Sequence, residues 1–174
     1  METLQSSLLL VQALGAVVGA LCTIWGEFAY ARAIGDKRVD AAELAHLNAI
    51  ARGLYFGMTL LLLASLGLVI IAYLAEAQLQ PALTSSYWSF MALALLTTLL
   101  TWARSRGHIS FSAGTGAIFT AWWFLAYLAL GQLPPLSFGA SIALYLVATT
   151  IFYGLLRLVR HIMISRAHTP AGSV

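Results

Sequence analysis

Charge is what this sequence has least of. Of its 174 residues, nine are Lys or Arg and six are Asp or Glu, 9% in all, against roughly 25% in soluble domains. So few charges cannot cover a water-facing surface, which excludes an ordinary soluble domain. Cysteine is also scarce: the lone Cys22 excludes an intrachain disulfide and a cysteine-pair metal site. There is no phosphate-binding loop, nucleophile elbow, HExxH, HxxxH or CxxC spacing, and no pair of intramembrane carboxylates. Nothing supports an enzyme, and no cofactor is expected. The opening METLQSS has Glu2 but no Lys or Arg, and Leu21 stands where a lipoprotein cleavage site needs Gly or Ala. The first apolar run is therefore expected to be retained rather than removed as a signal peptide.

What the sequence has in quantity is apolar length. It is 61% hydrophobic with mean hydropathy +0.89, in repeated runs of about 20 residues, the number that crosses a hydrocarbon core as helix. The expected fold is all-α: an integral membrane bundle of five transmembrane helices at about 7–34, 41–76, 87–103, 111–131 and 138–165. Residues 1–165 form a single domain, and 166–174 a flexible tail. Asp40 and Glu43 read as a capping box opening the second helix. Trp88 and Trp102 bracket the third as interfacial aromatics.

Five crossings put all nine basic residues on one side: Arg32, Lys37, Arg38 and Arg52, then Arg104 and Arg106, then Arg157, Arg160 and Arg166. The positive-inside rule then predicts the N-terminus outside, the C-terminus in the cytosol, and a bacterial cytoplasmic (inner) membrane location. The net charge of +3 is explained by these helix ends, so no nucleic-acid partner is expected.

Glu27 stands inside the first apolar run. A charge at mid-membrane costs roughly 2.5–3.5 kcal/mol on insertion scales, so it must be buried against protein, neutralised or near an interface. Helical spacing places it on a small and polar face with Gln12, Ala16, Gly19, Ala20 and Thr23. That face should look into the bundle. Arg52 lies at a similar depth on helix two. Two readings follow: a protonatable ligand- or ion-binding site of Glu27, Arg52, Gln12 and Thr23, or a structural strut pairing Glu27 with Arg52. Gly15 with Gly19, and Gly53 with Gly57 and Gly67, should let helices one and two pack closely as a hairpin.

His46, His108, His161 and His168 all fall toward the cytosolic side, none at mid-membrane depth. His161 and His108 are weak haem candidates beside the commoner role of interfacial histidine. Trp122, Trp123, Phe124 and Tyr127 could line a pocket, although such residues more often pack. Thr97, Thr98 and Thr101 should bond back to helix carbonyls.

The run GAVVG at 15–19, EFAYARAIGDKRVD at 27–40 and SLGL at 65–68 resemble the first hairpin of small bacterial polytopic membrane proteins. The architecture is similar to that of CopD-like and HemJ-like proteins. Those carry an intramembrane His in the first helix, and here that helix has none. The resemblance implies a fold type. The expected function is a non-catalytic subunit packed in a larger membrane complex, with lipid and membrane-protein partners or a homo-oligomer. The alternatives are proton- or ion-linked transport or ligand binding through Glu27, and a haem- or quinone-linked redox accessory.

Overall fold

A computed structural model describes residues 2–35, 41–75, 84–133 and 136–167. Among these residues the chain is entirely helical outside short turns, in five helices: α1 (Glu2–Gly35), α2 (Ala41–Leu74), α3 (Ser85–Ser105), α4 (Phe111–Ala129) and α5 (Phe138–Ala167). Helix α1 starts earlier than its apolar run suggested. The segment TLQSS holds no Pro or Gly to stop a helix, and Ser7 bonds back to the Thr3 carbonyl within it.

The described turns are written in cap chemistry. The hydroxyls of Thr84, Ser110 and Ser137 accept from the backbone N–H groups of Tyr87, Ala113 and Ala140 at 3.2, 3.4 and 3.3 Å. Gly107 and Gly131 end α3 and α4 in the left-handed region, at φ 73° and 65°. The next residues, His108 and Gln132, donate back to the carbonyls of Ala103 and Tyr127 at 2.9 Å, closing each helix. Asp40, Pro81, Pro134 and Pro135 lie outside the described residues, and with them the expected capping box.

The helices run alternately up and down. Trp25 near the end of α1 meets His46 near the start of α2. Arg160 near the end of α5 reaches both the end of α1 and the start of α4. At the other end, Leu8 packs on Gly67, and Ser85 donates to the Leu136 carbonyl. Arg32, Arg52, Arg104, Arg106, Arg157 and Arg160 therefore share one end of the bundle.

Four helices are long and apolar enough to cross a membrane: α1, α2, α3 and α5. Helix α4 is the exception in composition, with Gly114, Thr115, Gly116 and Thr120 in its first half. Its position explains this. It lies at the centre, packed on α1, α3 and α5, so its neighbours shield it from the surroundings. Its 19 residues still reach about 28 Å at 1.5 Å per residue. Ile118, Ala121, Trp122, Leu125 and Ala126 of α4 form the heart of the core, joined by Ala16, Ala20, Leu61, Phe90, Leu93, Ala94 and Tyr145. The exterior is large and apolar, with Leu10, Leu21, Tyr55, Leu63, Leu66, Leu95 and Leu146 all more than half exposed. Lipid, not water, solvates such a surface.

The predicted α1–α2 hairpin exists, with a different division of labour among its glycines. Gly15 and Gly57 face each other: a Cβ on Gly15 would stand 2.8 Å from the Gly57 carbonyl oxygen, and a Cβ on Gly57 would stand 2.8 Å from that of Gly15. Gly53 receives Cys22, and Gly67 receives Leu8. Gly19 touches Gly57, but its main task is elsewhere. A Cβ there would fall inside the indole of Trp122, so this glycine seats the central helix against α1.

The glycines separate cleanly in a mutational test. Gly19→Ala overpacks against Trp122 and should lower the melting temperature in mild detergent, with a cost of about 1–3 kcal/mol. Gly154→Ala, on α5 with open space around it, should match or exceed the parent, since alanine is the better helix former. Equal melting of the two variants would contradict the α1–α4 seat.

Candidate functional site

The polar centre of the bundle is built at the basic end, where α1, α4 and α5 converge. Glu27 lies about two turns before the end of α1. Arg160 of α5 donates to one oxygen of its carboxylate, Oε2, from Nε at 3.1 Å and from Nη2 at 2.5 Å. The guanidinium also donates from Nη1 to Ser112 Oγ at 3.0 Å and from Nη2 to Thr115 Oγ1 at 2.6 Å. The Thr115 hydroxyl donates to the Ser112 carbonyl at 3.2 Å, which leaves its oxygen to accept from Arg160. The ring of Tyr30 lies 5.3 Å from the guanidinium carbon, a cation–π distance.

Helical geometry explains why these residues meet. Glu27 and Tyr30 are three apart on α1, and Ser112 and Thr115 three apart on α4, so each pair projects from one face. The Arg160 and Glu27 side chains are only 12% and 13% exposed. In low dielectric an ion pair needs this kind of added hydrogen bonding to offset desolvation. Arg104 of α3 is a second cation within electrostatic reach of Glu27, and its stem packs over Gly114.

The expected partner, Arg52, is not the one used. Arg52 is exposed on α2. The α2 residue beside it that faces α1 is Gly53, where a Cβ would stand 2.6 Å from Cys22 Sγ. Arg52, one residue earlier, points about 100° away from that contact. Gly53 meets Cys22 and Gly26 meets Ile50, so Arg52 lies nearer the level of Thr23 than that of Glu27, and the helix that pairs with Glu27 is α5.

The other two candidates have separate tasks. Gln12 donates to Ser65 Oγ at 2.9 Å, and Ser65 donates to the Leu61 carbonyl at 2.6 Å. That link ties α1 to α2 about 22 Å from Glu27 along the helix. Thr23 is buried and bonds to its own helix, at the Ala20 carbonyl. The face they share does look inward: Ala16, Gly19, Ala20 and Thr23 are buried, while Leu21 and Phe28 are exposed.

Histidines and aromatics take up surface and packing positions. His46 accepts from the Trp25 indole. The His108 ring lies 5.6 Å from that of Trp102, and His161 is exposed. His168 is outside the described residues. Among the described residues no three His, Cys, Asp or Glu side chains gather as a metal site would need. Trp122 is a core residue, and Phe124 stands edge-on to Tyr145 at 5.8 Å.

Sequence reasoning missed Arg160, Ser112, Thr115 and Tyr30. A signal existed: Arg160 lies seven residues from the end of α5 and Glu27 eight from the end of α1, so the two fall at nearly one depth. Comparison with known proteins found no matching family model, no matching curated protein and no matching solved structure.

The arrangement holds three helices together around one buried charge pair. Glu27→Gln leaves Arg160 buried and uncompensated, a loss of about 3–5 kcal/mol. Arg52→Gln should melt with the parent. The check is thermal unfolding of both variants in one detergent. A stable Glu27→Gln protein, or an Arg52→Gln protein as damaged, would contradict the assignment.

Proposed function

We propose that the chain is a non-catalytic, multi-pass subunit of a larger assembly in a bacterial inner membrane, with its N-terminus outside and its basic end in the cytosol. The observation that carries this reading is the outer face of α5. Gly139, Ala143, Thr150 and Gly154 fall within a narrow arc of that helix, all are exposed, and beyond the helix's own adjoining residues no atom lies within 4 Å of where a Cβ on either glycine would stand. Gly15, Gly19 and Gly26 of α1 and Gly53, Gly57 and Gly67 of α2, by contrast, each face an atom of a neighbouring helix. Small residues drive helix association in lipid because they let backbones approach. The stripe runs about 22 Å along the axis, the depth over which a second transmembrane helix would lie.

Transport through Glu27 has less support. A carrier carboxylate must exchange partners, whereas this one is held by two nitrogens of Arg160. The orientation rests on the basic residues gathered at one end.

Two measurements test the reading. In a Cys22→Ala background, cysteines at Gln132 and Arg106 should label from opposite sides of the membrane, Arg106 from the cytosol. A cysteine at Thr150 should cross-link to a partner helix in native membranes, and Gly139→Leu with Gly154→Leu should abolish that product while leaving the melting temperature unchanged. A Thr150 cysteine that stays monomeric in native membranes would overturn the subunit reading. The mass of the adduct distinguishes a second copy from another protein.

A further inference from the structure

Helices α2 and α3 both line a groove of about 410 Å³ at the basic end of the bundle. It is walled by Leu54, Met58 and Leu62 of α2 on one side and by Thr97, Thr98 and Thr101 of α3 on the other, and Trp122 of α4 contributes to its lining. The threonine wall is less polar than its composition. All three hydroxyls donate back to their own helix, at the carbonyls of Leu93, Ala94 and Thr97 at 2.7, 3.0 and 2.7 Å, and so are already satisfied. The groove therefore offers an apolar lining from Thr97 to Trp102, about 7.5 Å of helix. Its mouth is different. Arg104 and Trp102 both line it, Arg106 lies over the Trp102 ring at 5.9 Å, and Arg52 stands beside the lining residue Ala51.

We propose that this groove is a binding site for an anionic phospholipid, with an acyl chain between α2 and α3 and the phosphodiester against Arg104. Charge complementarity argues for this occupant: an apolar slot at acyl-chain depth opens at an interfacial tryptophan and a cluster of arginines. Basic pockets between transmembrane helices on the cytosolic side select anionic headgroups. A soluble anion would use the arginines and leave the slot empty. A protein helix would fill the slot without using the arginines. The lipid uses both, independently of the α5 face.

The test is native mass spectrometry of the full chain, released from neutral detergent micelles doped with phosphatidylglycerol or phosphatidylcholine. The parent should retain one phosphatidylglycerol in preference to phosphatidylcholine, and excess inorganic phosphate should not displace it. Thr98→Phe fills the groove from an exposed position and should abolish the preference without changing helicity. Arg104→Gln should weaken it about fivefold, the factor associated with one basic residue at an anionic surface. If Arg104→Gln fails to fold, Thr98→Phe decides alone. Equal retention of the two lipids, displacement by phosphate, or unchanged retention in a folded Thr98→Phe protein would each overturn the proposal.

Discussion

A buried carboxylate and a buried guanidinium have to find each other, and much of this bundle is arranged around that requirement. Glu27 cannot remain charged among apolar side chains without a partner. Arg160 supplies the opposite charge from the last helix, and Ser112 and Thr115 of α4 take up its remaining bonds. The consequence is topological. The pair fixes the ends of α1, α4 and α5 at one depth, which forces α5 back to the side where α1 ends. The chain's first and last helices are thereby joined at the basic end.

Below that junction, size replaces charge as the organising factor. Helices in lipid gain little from hiding apolar surface, so contact area and close approach decide which helices pair. Gly15 and Gly57 bring two backbones together, and Gly19 admits the largest side chain of the core, Trp122. The central α4 can carry Gly114, Thr115, Gly116 and Thr120 in its first half because its neighbours stand between it and lipid. Between α2 and α3 at the basic end a groove remains.

Much of this was legible in the sequence, and the illegible part has a physical cause. Runs of apolar length gave the five helices, and glycine spacing gave the α1–α2 hairpin. The inward face of α1 followed from its small residues, and the exposure of Leu21 and Phe28 agrees with it. Helix starts were harder: α1 extends through polar TLQSS because nothing there breaks a helix. Pairing between helices distant in sequence was hardest. Periodicity within one helix says nothing about which neighbour it faces. The orientation of Gly53 toward Cys22 decides against Arg52, and only a three-dimensional arrangement supplies it.

The central claim is that Glu27 and Arg160 stabilise the fold through each other. The most direct measurement is the coupling energy from a double-mutant cycle of Glu27→Gln and Arg160→Gln, read from reversible unfolding in one lipid or detergent. Close, desolvated charge pairs give couplings of about 1.5 kcal/mol or more. The account predicts a value in that range, with the double variant more stable than the sum of the two losses requires. Additive losses, with a coupling near zero, would contradict it.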